Sequence, residues 1–458
     1  MRRWGVKPRK STVVQADPSM RIALVGKYPP IQGGTSRQTY LTAHSLAMRG
    51  HDVVVLTNAD EVEPSCRQMF IDDDEEHLER VYRSGRVRVF NTSRLGKNDY
   101  IPWAQPYASK LFGLGLGTLS ACSCDLIVGW YYEPYGLVAA QLAQTMRVPV
   151  VLRHAGSDIG RLANHPDLRI AYGWAMSVAY RILTTPRTSS LLLCLGAREE
   201  QLQVTRGSRL PPYFSPRSPR LDLTRVAEAA QEWYRMVGMS DDATAVLRQG
   251  LDNITQLPGD LPTIGVYGKV GYSKGSYDLL DALESMLSGG IDFRFLSLAG
   301  GQTEVFEHYL RHLAQRSSLL RRRTVVLPFL APWRVPNFLR LCDLACFLER
   351  DFAIGFHSPK VATEILTSGV ALVCSSEIAD KQYYAASLVD GRNYFRVTDP
   401  KNHAQLRAAL ERALRSPQER KDVAARGLSL ARHLNEHVAV VDGYADAIER
   451  AGSELTSN

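Results

Sequence analysis

The stretch Ala353-Ile-Gly-Phe-His-Ser-Pro-Lys-Val-Ala-Thr-Glu-Ile-Leu-Thr-Ser-Gly-Val-Ala-Leu-Val-Cys-Ser375 constrains the architecture more than any other part of the chain. The apolar run Leu344–Leu348 before it reads as a buried strand. A loop with Gly355 and Pro359 follows. Val361–Ser368 then reads as a helix, Gly369 stops it, and Ala371–Cys374 forms the next strand. Glu364 falls in the first turn of that helix, where loop amides and the helix N-terminus favour an anion. A carboxylate there can accept two hydroxyls, such as the vicinal diol of a ribose. An ordinary surface acid at a helix start is the equal alternative on this segment alone.

The same strand–loop–helix alternation starts the chain. Arg21–Gly26 reads as a strand, Lys27–Gly34 as a loop, and Thr35 caps a helix running to Met48. Asp52–Thr57 is the second strand, parallel to the first with a right-handed crossover. Gly33 and Gly34 lie beyond the first strand's carboxyl end, where open α/β sheets bind ligands. They do not form G-x-G-x-x-G. Two adjacent glycines leave uncrowded amides for a phosphate or sugar, with plain turn residues as the alternative. Residues 59–85, with the acidic run Asp72–Glu76, read as a solvated excursion. Arg86–Phe90, Asp125–Trp130, Pro149–His154 and Arg181–Thr185 read as further strands. Helices are expected over Trp103–Ser120, Pro134–Met146 and 166–180. The apolar residues of Trp103–Ser120 suit core packing or, as the alternative, an acceptor or membrane surface. His154 ends a strand beside Arg153, Gly156 and Asp158, which favours a site role over a structural histidine.

Residues 207–262 change character. Pro211–Pro219 is a Pro-rich linker, and Leu221 to about Gly250 reads as amphipathic helices inserted between two halves. The second half opens with the strand Thr263–Tyr267, the basic glycine loop Gly268-Lys-Val-Gly-Tyr-Ser-Lys-Gly275 and a helix over Ser276–Leu287. Phe293–Ala299 and Thr324–Phe329 are further strands. Lys269 and Lys274 point to the same crevice as Glu364. Two ammonium groups beside exposed amides suit a diphosphate. Solvated lysines in a turn are the alternative for the loop taken alone. The loop lacks the G-K-[ST] ending of a Walker motif.

Composition narrows the classes. A chain of 458 residues suggests two to three domains, and 45% hydrophobic with 22% charged residues is ordinary for a globular protein. The net charge of +8 fits an anionic ligand, a membrane surface or nucleic acid. The basic residues are dispersed, and no RRM, KH or helix-turn-helix signature is present, which argues against nucleic acid. No apolar run suits a transmembrane helix. The basic first residues lack an apolar core and read as a disordered tail over 1–20, not a signal peptide. Seven scattered cysteines form neither a disulfide framework nor a zinc pattern, and suit reduced core residues of a cytosolic protein.

Five segments in order carry a resemblance to a family: Gly268 to Leu283, Leu298-Ala-Gly-Gly301, Pro328 to Asp343, Glu364 to Ser375 and Val389 to Tyr394. They resemble the retaining glycosyltransferases of the GT-B superfamily, in its GT4-like (group 1) branch. Gly33-Gly34 and His154-Ala-Gly-Ser-Asp158 are similar more loosely. The resemblance implies an α/β GT-B fold of two Rossmann-like doubly wound domains facing across a cleft. An N-terminal acceptor domain would span 21–206, a linker with the helical insertion 207–262, and a nucleotide-sugar domain 263–432. Residues 433–458, with a helix over about Glu436–Ala451, would return to the first domain. It implies a hexosyltransferase-type reaction with an NDP-sugar as co-substrate, no cofactor and no metal. Catalytic roles fall on His154, Lys269 and Lys274. Donor binding falls on Gly33, Gly34, Gly268, Lys269, Lys274, His357, Ser358, Lys360 and Glu364, and acceptor binding on Arg153 and Asp158. The family's first acid, eight residues before Glu364, is here Phe356, and the nearest acids, Glu349 and Asp351, are out of register. That substitution keeps a catalytically silent nucleotide-sugar-binding subunit as the alternative. A cytoplasmic location, with peripheral contact at a membrane's inner face, is the expectation; the acceptor and the oligomeric state stay open.

Overall fold

The computed structural model describes residues 19–93, 106–205, 210–255, 261–357, 359–435 and 443–457. Residues 1–18 of the expected tail, 103–105 of the expected second helix, 436–442 of the expected last helix and the candidate Ser358 lie outside the described residues.

The first sheet has eight strands. They are β1 (Arg21–Gly26), β2 (Asp52–Thr57), β3 (Arg80–Val81), β4 (Arg86–Asn91), β5 (Leu126–Trp130), β6 (Val150–Arg153), β7 (Arg181–Thr184) and β8 (Leu202–Val204). Their order is β3-β4-β2-β1-β5-β6-β7-β8, all parallel except the short β3–β4 pair. The second sheet holds β9 (Thr263–Lys269), β10 (Arg294–Gly300), β11 (Thr324–Leu327), β12 (Leu344–Phe347), β13 (Ala371–Ser375) and β14 (Phe395–Val397). It is wholly parallel, in the order β11-β10-β9-β12-β13-β14. The central strands are buried along nearly their whole length, as expected for Val-, Ile- and Leu-rich strands covered by helices on both faces.

The inserted helices, Leu223–Val237 and Asp241–Asp252, pack on the outer edge of the second sheet. The Tyr234 hydroxyl donates to the Val326 carbonyl at 3.3 Å, and Gly250 lets its helix lie against the backbone of β11. The final helix, Tyr444–Ser457, packs instead on the first sheet: Tyr444, Ala447, Ile448 and Ala451 share a core with Met20, Ile22, Leu24 and Val53.

Two expectations are corrected here. The acidic stretch is not merely solvated. Asp74 is fully buried and accepts from its own Ile71 amide at 2.9 Å, from Trp333 Nε1 at 2.6 Å and from Arg334 Nε at 2.7 Å. The run supplies a clasp onto the second half, because one of its carboxylates finds a guanidinium and an indole there. The strands β3, β8 and β14 were not anticipated; at two or three residues each they are too short to show a period.

Candidate functional site

Residues at and just beyond the carboxyl ends of both sheets line a cavity of about 720 Å³ between them. That lies within the range of roughly 300–1,000 Å³ typical of small-molecule sites. The cavity brings together Gly33, Gly34, Arg153 and His154 from the first half with Gly268, Lys269, Lys274, His357, Lys360 and Glu364 from the second.

The loop after β9 forms one wall. Gly275, with φ 67°, starts the helix Ser276–Ser288, and a Cβ there would strike the Leu348 carbonyl. This close approach draws the loop against the end of β12. Lys269 is exposed in the cavity. Lys274 lies with Nζ 3.9 Å from the Phe352 ring centroid and forms an ion pair with Glu349. Burial holds the Lys274 pKa below the usual lysine range, against the opposing pull of Glu349.

Glu349, an acid near Phe356 in the sequence, lines the cavity. It is 1% exposed, and its carboxylate lies 2.8 Å from His357 Nε2 and 3.9 Å from Lys381 Nζ. Burial alone would raise its pKa; His357 and Lys274 outweigh burial and keep it below the usual range. The loop after β12 doubles back and brings His357 to Glu349. Glu349 follows an apolar strand immediately, as His154 does. Asp351 points elsewhere, to Lys401 at 3.1 Å.

Phe356 makes a contact between the halves. Its ring packs on the first half's core beside Gly156 and Gly160, where a Cβ on Gly160 would come within 2.6 Å of it. The position usually acidic in the resembled family is here an apolar bridge.

Glu364 lines the cavity but is 0% exposed and already engaged. Arg37, from the helix Gly34–Met48, forms an ion pair with it, and the Tyr267 hydroxyl donates to its other oxygen. Arg37 went unnoticed in the sequence, although it lies one turn beyond the paired glycines. Gly33, at φ 111°, holds the extended approach to that helix.

On the first half, His154 is 4% exposed, with Nε2 3.1 Å from the Thr188 hydroxyl and Nδ1 buried without a partner among the described residues. Burial, then the adjacent Arg153, lowers its pKa to about 3, so the imidazole is neutral. Arg153 donates to the His154 carbonyl and to the Tyr444 hydroxyl, and its guanidinium stacks 4.8 Å from the Trp130 ring centroid. Asp158, expected as an acceptor ligand, is not among the residues lining this cavity. It is fully buried, accepting from the amides of Ala155, Gly156 and Ile159 and from the Tyr132 amide at 3.1 Å. Its work is to shape the turn that presents His154.

No protein-family model matches the chain, and no curated protein matches it. Solved structures do match in shape. Sucrose-phosphate synthase from Thermosynechococcus elongatus superposes with TM-score 0.61 at 13% identity, over 96% of this chain and 99% of that one. HepE from Anabaena, in complex with UDP and glucose, gives TM-score 0.59 at 17% identity over 96% and 100%. A trehalose-phosphate synthase from Burkholderia xenovorans, in complex with glucose-6-phosphate, gives 0.57 at 13% over 95% and 100%. Two parallel-sheet α/β domains facing across a cleft, with these likenesses, define the GT-B fold.

Proposed function

We propose that the protein is a retaining, GT4-like glycosyltransferase that moves a hexose from an NDP-sugar to an acceptor held mainly by the first half. The observation that carries this reading is the convergence on one cavity of the Gly268–Ser276 loop, with Lys269 and Lys274, and of His154 from the opposite sheet. In that arrangement the loop amides and lysines hold the diphosphate. The ammonium groups meet the charge that grows as the glycosidic bond breaks, with no metal or cofactor required. Neutral His154 offers its unpartnered Nδ1 to a hydroxyl at the reacting end. The UDP and glucose held by HepE support an NDP-sugar donor. Among the described residues no helix is long and apolar enough to cross a membrane. A cytoplasmic site of action, with peripheral contact at a membrane face, completes the proposal.

A second reading, a nucleotide-sugar-binding subunit without turnover, draws on Glu364, whose oxygens are already taken by Arg37 and Tyr267. Mass spectrometry of a panel of NDP-sugars incubated with the protein separates the two. Release of free sugar and NDP from one donor is expected. Binding of NDP-sugars with no hydrolysis or transfer would leave the subunit reading standing.

A further inference from the structure

The cavity carries more positive charge than a sugar nucleotide requires. Lys269, Lys274, Lys360 and Lys381 line it from the second half, and Arg37, Arg153 and Arg187 from the first. Among the described residues, two carboxylates, Glu349 and Glu364, share the lining, with Glu377 behind Lys381 at 2.5 Å. The charges are also segregated: all the carboxylates belong to the second half. On the first half, Arg153 finds neutral oxygens among the described residues, the His154 carbonyl and the Tyr444 hydroxyl. Arg187, exposed on the loop after β7, donates to the Asp380 carbonyl at 2.9 Å. Arg37 leaves Nε and Nη2 buried without an acceptor. Buried charged donors lacking partners are costly unless a ligand supplies the acceptor.

A diphosphate seated on the Gly268–Ser276 loop is met by Lys269 and Lys274. The arginines across the cavity, beside His154, are left for a different anion. We infer that the acceptor itself is anionic, a phosphorylated sugar or similar phosphomonoester, whose phosphate is held by Arg153 and Arg187. This rests on the glycosyltransferase reading. Arginine suits the task because its planar fork matches a phosphate through paired hydrogen bonds. The stacking of half-buried Arg153 on Trp130 and Tyr444 fixes the fork before the ligand arrives. The phosphate would anchor the acceptor and leave a hydroxyl free to face His154.

The test is calorimetric. The nucleoside diphosphate that binds tightest is first saturated onto the full-length protein; glucose 6-phosphate, glucose and inorganic phosphate are then titrated separately. Glucose 6-phosphate is expected to bind at least tenfold more tightly than glucose, with inorganic phosphate competing. Arg153→Gln and Arg187→Gln should each weaken glucose 6-phosphate about tenfold or more, the loss of one charged hydrogen-bond pair. Nucleotide affinity should stay within about twofold on that same scale. Arg153 also braces Trp130 and Tyr444, so Arg187→Gln, on an exposed loop, is the variant that does not disturb packing. Equal weakening of nucleotide in both variants would assign the arginines to the donor diphosphate and overturn the inference. So would preferential binding of an acidic NDP-sugar, such as a uronic acid donor, lost in these variants, which would place the second anion on the donor. Failure of every nucleoside diphosphate to bind would overturn the glycosyltransferase reading itself. Nucleotide binding without any preference for the sugar phosphate would overturn only the anionic acceptor.

Discussion

Arg37 and Glu364 form a buried ion pair that ties the helix after β1 to the helix before β13, joining the two halves of the molecule across the cavity. Each charge has lost its water, so each depends on the other. A ligand hydroxyl seeking the Glu364 carboxylate must share it with, or take it from, Arg37 and Tyr267.

Glu364→Gln should therefore act on stability as well as on binding. It leaves the Arg37 guanidinium buried with no counter-charge, a loss of roughly 3–5 kcal/mol for pairs of this kind. Nucleotide affinity should fall too. Urea unfolding beside nucleotide titration reads both; an unchanged unfolding midpoint would show that the pair contributes nothing to the fold.

Glu349→Gln removes the carboxylate that neutralises Lys274 while keeping its shape. Nucleoside diphosphate affinity should rise several-fold, because Lys274 and Lys381 then face the cavity with less opposing charge. Turnover should fall if the carboxylate orients the donor sugar. Weaker nucleotide binding in this variant would mean that Glu349 positions Lys274 and does not compete with the ligand.

Gly160→Ala places a methyl against the Phe356 ring, at 2.6 Å before relaxation. The expected destabilisation is about 1–3 kcal/mol for an overpacked contact. In a Phe356→Leu background the penalty should shrink, and the double-mutant cycle measures that coupling. Additive effects would place Phe356 away from Gly160 in solution. Phe356→Glu, by the same geometry, buries an unpaired acid against an apolar core and should not raise activity.

Acid should destabilise the fold earlier than carboxylate titration alone predicts. Burial lowers the pKa of His154 and of His44 from 6.5 to about 3. Between those values the unfolded chain binds protons that the folded one refuses, so stability is full above about 6.5 and falls as pH drops toward 3. His44→Gln, which can keep contacts with the Tyr28 and Tyr82 hydroxyls, should flatten part of that slope in thermal unfolding across pH.

Lys360 gives a second titration. Burial, with Arg153 and Arg37 nearby, lowers its pKa to about 8. Its charge is present below that value, so nucleotide affinity should weaken as pH rises through about 8. The dependence should vanish in Lys360→Gln; if it persists there, another group is responsible.

The parallel sheets were legible because buried strands and paired glycines act locally; the expected Thr35 cap was not, since the helix starts at Gly34 with Gly33 at its N-cap and no side chain capping it. Arg21–Gly26 and Thr263–Tyr267 announce themselves by their own residues, and so does the Gly268–Gly275 loop. What could not be read were contacts made by residues distant in the chain. Arg37 reaches Glu364, Asp74 reaches Arg334, and Phe356 seats against Gly160; nothing local to any one of them specifies its partner. The pairing of Glu349 with Lys274 and His357 likewise depends on a loop that folds back, which residue spacing alone does not reveal. The amides that the Asp158 carboxylate accepts from, at Ala155, Gly156 and Ile159, were equally out of reach of a sequence pattern.

The last helix also bears on how the molecule is made. The first sheet ends its own strands at Val204, yet Tyr444, Ala447, Ile448 and Ala451 complete the core beside β1 and β2. During synthesis, that apolar face emerges long before the helix Tyr444–Ser457 that covers it. Until that helix is made, Met20, Ile22 and Val53 lack their covering layer, and the early half is exposed to aggregation. Completion of the first sheet's core thus waits on a segment made far downstream, and stretches distant in sequence become neighbours in the fold.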